Sequence, residues 1–394
     1  MNQNRTSLFA LLSLPAIALA SCGSTNSGDR TTATAGDVRY EVSEHGTFAE
    51  PWAMAFAPGT STVFVTEKAG TMKFVDLTSG KIGTVSGLPQ VDYGGQGGLG
   101  DVAFLPSETG ATLGRRTIFL SWAEAGDGDT RGAAVGKGTL VCEAADACRI
   151  DGLRVIWRQT PKVTGRGHYS HKLAISPDGQ YLFVSSGDRQ KMQPAQDLSN
   201  TLGTIVRLTL DGEAAEGNPF GWTDESVTPN WPTRQIWSYG HRNVLGLQFA
   251  PDGTLWDLEH GPAGGDELNK VERAANYGWP VVSDGDHYDG RDIPAHATRP
   301  EFKAAAIGWT PVIAPGDFIF YTGDAFPGWK GDVLIAGLSI ESLVEVAIEG
   351  EKGTEVARYG FDNRLRDIAQ GPDGSVWLIE DGKGGRLLKL SPAK

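Results

Sequence analysis

The stretch SPDGQYLFVSS, residues 176–186, decides the fold: a Pro-Asp-Gly turn leads straight into Tyr181-Leu182-Phe183-Val184, a run of strand-forming residues. The same phrase recurs at Pro251-Asp252-Gly253 before Thr254-Leu255-Trp256, and at Pro372-Asp373-Gly374 before Ser375-Val376-Trp377-Leu378. Looser copies place Pro58 between Ala55-Phe56-Ala57 and Thr62-Val63-Phe64-Val65, and Pro106 between Ala103-Phe104-Leu105 and Thr117-Ile118-Phe119-Leu120. Val333-Leu334-Ile335, after Lys330-Gly331-Asp332, fills the largest gap. Turns of this kind join neighbouring antiparallel strands. Strands beginning near 62, 117, 181, 254, 332 and 375 set a loose period of several tens of residues, room for one four-stranded sheet per unit. The expected fold is therefore all-β, a six-bladed β-propeller with four-stranded antiparallel blades. The alternative is a chain of two-sheet sandwiches, but no linker interrupts the sequence after residue 36 and long helical periodicity is absent. Uneven spacing implies large loops between blades, and a site is expected where those loops meet at one mouth of the central channel.

Composition agrees with that fold. Fifty-three glycines and 21 prolines in 394 residues, without a three-residue period, call for many tight turns. A net charge of −13 and the lack of any Lys/Arg run exclude a nucleic-acid binder, which needs a basic face to displace counterions. Hydrophobic residues at 40% allow a real core and exclude a disordered chain.

Residues 1–21 read as a signal peptide, with Arg5 in a short polar start and an apolar stretch from Leu8 to Ala20 that is too short to span a membrane. Its end, Leu19-Ala20-Ser21-Cys22, resembles the bacterial lipobox, in which the cysteine becomes the lipidated first residue. Residues 22–36 then form a polar tether, and 37–394 the propeller. The expectation is an exported, periplasmic domain whose one membrane contact is a lipid on Cys22. Cys142 and Cys148 remain; the loop between them can close a short disulfide in an oxidising compartment, with two reduced thiols the alternative.

Four Gly-rich stretches are more specific than turns require. Gly94-Gly95-Gln96-Gly97-Gly98 lacks the Lys-Ser/Thr ending of a phosphate loop, and glycines around one amide let the backbone approach a flat ligand. GRGHYSHKLAISPDG, residues 165–179, carries His168 and His171; on an extended segment they point to opposite sides, so at most one belongs to a site. Tyr239-Gly240-His241-Arg242-Asn243 is followed by EHGPAGGDELN at 259–269, where Asp266 and Glu267 are candidate calcium oxygens. In Asn363-Arg364-Leu365-Arg366-Asp367 the two arginines, two apart on a strand, face the same way and can clamp an anion. The loop Asp284-Gly285-Asp286-His287-Tyr288-Asp289-Gly290 departs from the EF-hand pattern and reads as an acidic surface loop.

These runs, in order from about Val38 to about Leu390, resemble the soluble quinoprotein sugar dehydrogenases, the glucose/sorbosone dehydrogenase family. The resemblance implies a six-bladed propeller that binds pyrroloquinoline quinone and Ca²⁺ and oxidises the C1 hydroxyl of aldoses to lactones, passing electrons to an acceptor that the sequence does not name. It implies His168 as general base, and Gln96, Arg242, Asn243, Tyr288, Arg364 and Arg366 as the quinone pocket. The carbonyls of Gly261 and Pro262 are implied as ligands of the quinone-bound Ca²⁺, with Glu267 and the Tyr277 carbonyl as a second, structural Ca²⁺ site. The chain departs from the pattern at Lys172, where relatives usually have Arg, and at His171, which replaces a small residue; both are expected to reshape the substrate side. Leu338-Ser339-Ile340-Glu341 lacks a lysine that some glucose-oxidising relatives set against the quinone. The competing readings are a propeller that only binds a sugar or protein, and a Ca²⁺-dependent hydrolase or lactonase, whose metal cage would need inward acids from several strands.

Overall fold

In the computed structural model, which describes residues 32–35, 38–221 and 231–393, six antiparallel sheets surround one channel. Their innermost strands are Pro51–Phe56, Leu99–Phe104, Ser170–Ile175, Val244–Phe249, Pro315–Phe320 and Leu365–Gln370, and each abuts the next around a closed ring. The second strands, Thr62–Glu67, Arg115–Ala125, Tyr181–Ser186, Leu255–Glu259, Val333–Gly337 and Val376–Glu380, are the six runs that the repeated turns announced. The ring closes by pairing the first long strand, Val38–Ala49, with the last, Lys383–Pro392, so both chain ends complete the sixth blade. Two details exceed four strands per blade. Thr32–Ala35, inside the expected tether, pairs with the edge of the sixth blade, and Ala147–Arg149 pairs in parallel with Thr84–Ser86, joining the outer edges of the first two blades. Residues 1–21 and Cys22 lie outside the described residues. Among the described residues no helix is long and apolar enough to cross a membrane.

Propeller blades cover both faces, so their second strands are buried at every position and mostly apolar: Thr62–Glu67 and Val376–Glu380 are buried throughout. Among the described residues the apolar side chains form eight clusters, six of them larger and set one at each blade interface. Phe64, Phe74, Phe104 and Trp122 fill the first-to-second, and Met54, Val65, Trp377 and Ile379 the sixth-to-first. The third-to-fourth cluster is the smallest of the six, built around Phe183, Ile205 and Leu247. Cys142 and Cys148 face each other across the outer hairpin of the second blade and are disulfide-bonded.

Every innermost strand carries a bulge at its start, between residues such as Leu99 and Val102, Ser170 and Leu173, or Leu365 and Asp367. A bulge re-aims successive side chains. It is repeated at one level of the channel, which is where the polar residues gather.

Candidate functional site

At the mouth a cavity of about 240 Å³ is lined by residues from distant parts of the chain, among them Trp52, Gln96, Asn243, His260, Arg364 and Arg366. The Gly-rich run places Gln96. Gly95 has φ +58°, and a Cβ there would lie 2.6 Å from the Arg166 carbonyl, so only glycine lets the two backbones close. Gln96 Oε1 then accepts the His168 backbone N–H at 2.6 Å. His168 is buried beside the cavity, next to Tyr169 and Ser170, which line it.

The His168 side chain is oriented by a residue the sequence reading missed. Its Nδ1 lies 2.7 Å from Asp188 Oδ1, and Asp188 Oδ2 accepts the Trp279 indole N–H at 2.8 Å. Burial would raise Asp188, but hydrogen bonds from His168, Trp279 and the Gln190 N–H hold it below the usual carboxylate range. An ionised Asp188 only accepts, so the His168 proton sits on Nδ1 and Nε2 carries the lone pair. Burial lowers the His168 pKa from its ordinary value, opposed by Asp188, which leaves a neutral imidazole at neutral pH. Gly187, just before Asp188, permits the approach: a Cβ there would sit 2.1 Å from the His168 carbonyl oxygen.

Arg364 and Arg366 do face the same way. Arg364 Nε donates to Asp381 Oδ2 at 2.9 Å, and Arg366 Nε and Nη2 donate to Asp381 Oδ1 at 2.9 and 2.8 Å. Arg366 also lies 4.6 Å from the centre of the Trp52 ring. Lys68, from the first blade, lines the same cavity and donates to the Gly95 carbonyl at 3.0 Å. Leu338, beside Ser339, lines the wall of the same cavity. Asp381, Trp52 and Lys68 lie outside the motifs singled out in the sequence, whereas His260 lies within the 259–269 stretch.

The structure separates two of the expected pocket residues from the cavity. Arg242 lines a neighbouring hollow, donating from Nη1 to the His260 carbonyl at 3.0 Å and from Nη2 to Tyr288 Oη at 3.1 Å. Tyr288 is 78% exposed, because Gly285–Asp286 pairs with Ala263–Gly264 and the turn that follows carries it to the rim of an outer cleft. His260 lines the cavity, the hollow and the cleft, and joins them.

That hollow, about 20 Å³, is of single-ion size and is lined by Gly261, Pro262, Glu267, Tyr277 and His296 among others. The two calcium sites expected from the sequence are therefore not separated: Gly261 and Pro262, expected for one ion, and Glu267 and Tyr277, expected for the other, line the same hollow. Burial and the nearby Glu259 push Glu267 well above the usual carboxylate range, the condition a cation relieves. The Tyr277 carbonyl also accepts His296 Nε2 at 2.9 Å. Asp266, read as a candidate calcium oxygen, does something else. Its Oδ1 accepts the Gly261 N–H at 2.9 Å and its Oδ2 those of Ile313 and Ala314 at 2.9 and 2.7 Å, so it holds the Gly261-Pro262 turn.

Two further expectations need correction. His168, Ser170 and His171 have φ of +47°, +56° and +64°, so the segment is not extended. His171 leaves the site all the same: it is buried under Trp52, bonded at Nδ1 to Ser121 Oγ at 2.9 Å, and burial pushes its pKa down to about 3. Lys172 does not reach the substrate side. It is buried deeper in the channel, 3.3 Å from Asp101 and 2.7 Å from Asp317, because the bulge turns it toward the axis. Burial works against its charge, yet Asp101, Asp317 and Asp367 outweigh it and hold the ammonium above the usual lysine range. Acids thus do converge from separate strands, but around a lysine, and Asp101 Oδ2 and Asp367 Oδ2 accept backbone N–H groups of the next blade, from Leu173 and Met54.

Comparisons with known proteins agree with this architecture. The family described as Glucose / Sorbosone dehydrogenase matches residues 48–389. The chain is 35% identical over 352 residues to Aldose sugar dehydrogenase YliI of Escherichia coli (strain K12), covering 87% of this chain and 90% of that protein. The solved apo-form of the soluble aldose sugar dehydrogenase from Escherichia coli aligns with a TM-score of 0.79 at 33% identity, over 90% of this chain and 100% of that one. The PQQ-bound aldose sugar dehydrogenase from Streptomyces coelicolor shares the fold, with a TM-score of 0.68 at 24% identity over 91% of this chain and 98% of that one. With a family match spanning most of its length and a propeller superimposing on solved members, the chain belongs to the glucose/sorbosone dehydrogenase family.

Proposed function

We propose that the protein oxidises the C1 hydroxyl of aldose sugars to lactones, with pyrroloquinoline quinone as cofactor and Ca²⁺ beside it. The observation that carries this reading is the His168–Asp188 pair, a neutral imidazole held with its Nε2 lone pair available, beside a cavity walled by Arg364 and Arg366. An alcohol C–H gives up hydride readily only as its O–H loses a proton, so the base must be neutral, positioned and shielded. His168 Nε2 takes that proton, and Asp188 stabilises the imidazolium that results. The quinone, when bound, supplies the two-electron acceptor.

The residues fit such a group. Gln96, Asn243, Arg364, Arg366 and Lys68 surround the cavity with donors, and three cations, Lys68, Arg364 and Arg366, against the carboxylates of Glu50 and Asp381 leave positive charge for an anionic planar ligand. Trp52 offers a flat apolar floor. The carbonyls of Gly261 and Pro262, on a turn fixed by Asp266, and Glu267 with Tyr277 are the oxygen donors a hard cation takes. Tyr288 at the rim and Arg242, buried in the hollow and bonded to it, are placed to contact whatever extends from the cavity toward the cleft. The hydrolase reading loses its basis, since the central acids are tied to Lys172 and to backbone N–H groups.

We further propose that the chain is exported by residues 1–21 and anchored by a lipid on Cys22, which delivers the propeller to an oxidising compartment consistent with its disulfide. Mass spectrometry of the membrane fraction then finds a blocked, diacylated Cys22, and a free N-terminus elsewhere contradicts it. The functional reading is tested by adding pyrroloquinoline quinone and Ca²⁺ to apoprotein and screening mono- and disaccharides with a reducible dye. Turnover of aldoses is expected; saturable sugar binding without turnover returns the weight to a binding propeller.

A further inference from the structure

Between the third and fourth blades, where the apolar cluster is smallest, a polar group takes the place of packed side chains. Asp257 and Glu259 lie two apart on Leu255–Glu259 and face the same way; across the sheet, Asp257 pairs in register with Asn269 and Glu259 with Glu267. His241 comes from the preceding loop and stacks on the Tyr277 ring at 4.5 Å. His241, Asp257 and Asn269 are fully buried and Glu259 nearly so. His241 Nδ1 is 3.2 Å from Glu259 Oε1 and 3.5 Å from Asp257 Oδ2, and all three atoms lie within 4.8 Å of one another.

Hydrogen bonding accounts for only part of this group: Asn269 Nδ2 donates to Asp257 Oδ1 at 3.2 Å and to Glu259 Oε1 at 3.3 Å. Asp257 Oδ2 has no hydrogen-bond partner although it is wholly enclosed, and neither has Asn269 Oδ1. Leaving such atoms unmet is costly. The outer atoms, in contrast, are anchored: His241 Nε2 bonds Ser238 Oγ at 2.9 Å and Glu259 Oε2 accepts the Arg242 N–H at 2.7 Å. With the ring proton on Nε2 toward Ser238, Nδ1 and two carboxylate oxygens point lone pairs at one spot, which a cation or a proton must occupy. Fixing the far nitrogen of an imidazole and the far oxygen of a carboxylate is what metal sites do to orient their ligands.

We propose that His241 Nδ1, Asp257 Oδ2 and Glu259 Oε1 bind a divalent transition-metal ion of the Zn²⁺ class, a second ion beside the calcium expected at Glu267 and Tyr277, whose hollow Glu259 also lines. Tetrahedral zinc with bonds of roughly 2.0–2.1 Å sets its ligands about 3.3–3.4 Å apart, which matches the two distances from His241. An imidazole among the ligands favours zinc over calcium, which takes oxygen. A half-turn of the Asn269 amide, giving up its N–H donations to Asp257 Oδ1, Glu259 Oε1 and Glu267 Oε2 at 3.2, 3.3 and 3.4 Å, would turn Oδ1 toward the ion as a fourth ligand. The ion would clamp the third blade's exit loop to the fourth blade.

Cobalt(II) is the probe. The full chain is expressed in cobalt-supplemented medium with calcium present, gel-filtered, and examined by visible absorption and plasma mass spectrometry. Wild type is expected to retain one equivalent with the d–d bands of a four-coordinate ion. Glu267→Gln keeps them, and Asp257→Asn retains less by about ten-fold or more. If Asp257→Asn does not fold, His241→Gln answers the same question. Wild type without retained cobalt, as a simple ion pair on a protonated His241 requires, overturns the proposal. So does a folded Asp257→Asn or His241→Gln that retains as much as wild type.

Discussion

At the mouth of the channel Arg364 and Arg366 share the one carboxylate of Asp381, whereas deeper down Lys172 lies between Asp101 and Asp317 with Asp367 close by. Both groups grow from the bulged starts of inner strands or the residues beside them, and both mix charges of either sign. Deeper down, the surplus is negative and the chain itself answers it, with Lys172 and with N–H groups of neighbouring blades. At the mouth the surplus is positive, and a cavity adjoins it. Charge that the chain satisfies belongs to the scaffold; charge left facing a cavity belongs to a ligand.

The contrast breaks first at Lys172. Lys172→Met strands buried carboxylates, and a loss of about 3–5 kcal/mol in urea unfolding is expected, with quinone affinity of the remaining folded protein unchanged. A loss under 1 kcal/mol would mean that the lower cluster is not the scaffold's staple. Asp188→Asn acts at the mouth. It should fold and bind quinone, yet lose about 10²-fold or more in kcat because the imidazole is no longer held in the right tautomer. Its pH profile separates a positioning role from simple damage. The His168 pKa is already lowered by burial, and Asp188 is what opposes that, so removing the carboxylate moves the acid limb to still lower pH. An acid limb that stays put removes Asp188 from the account. The smallest effect is Arg366→Ala, which should raise the quinone concentration for half-reconstitution about ten-fold with kcat at saturation little changed. Unchanged quinone titration would show that Asp381 already satisfies the mouth.

The blades were legible because their signal is local: a Pro-Asp-Gly turn and a β-branched or aromatic run lie within a dozen residues of each other, as at 176–186. His168, Gln96 and the arginines were legible through short runs of unusual composition. Asp188 was not, since an acid after a strand looks like any turn residue until the 168–170 segment folds back on it. The place of Lys172 was not legible for a related reason. Strand alternation cannot foresee a bulge, and here the bulge sends Lys172 to the axis and His171 beneath Trp52. Tyr288 depended on how one loop leaves a two-residue strand pair, which composition does not encode.

The central claim is that His168 is the base. The most direct measurement titrates quinone at fixed aldose and then aldose at saturating quinone, for wild type and His168→Gln, with quinone binding followed separately by equilibrium dialysis in Ca²⁺. The account predicts equal quinone binding and a turnover lower in the variant by about 10²-fold or more, with the wild-type rate falling as the pH drops through a value below the ordinary histidine pKa. Equal turnover of the two proteins at saturating quinone would contradict it.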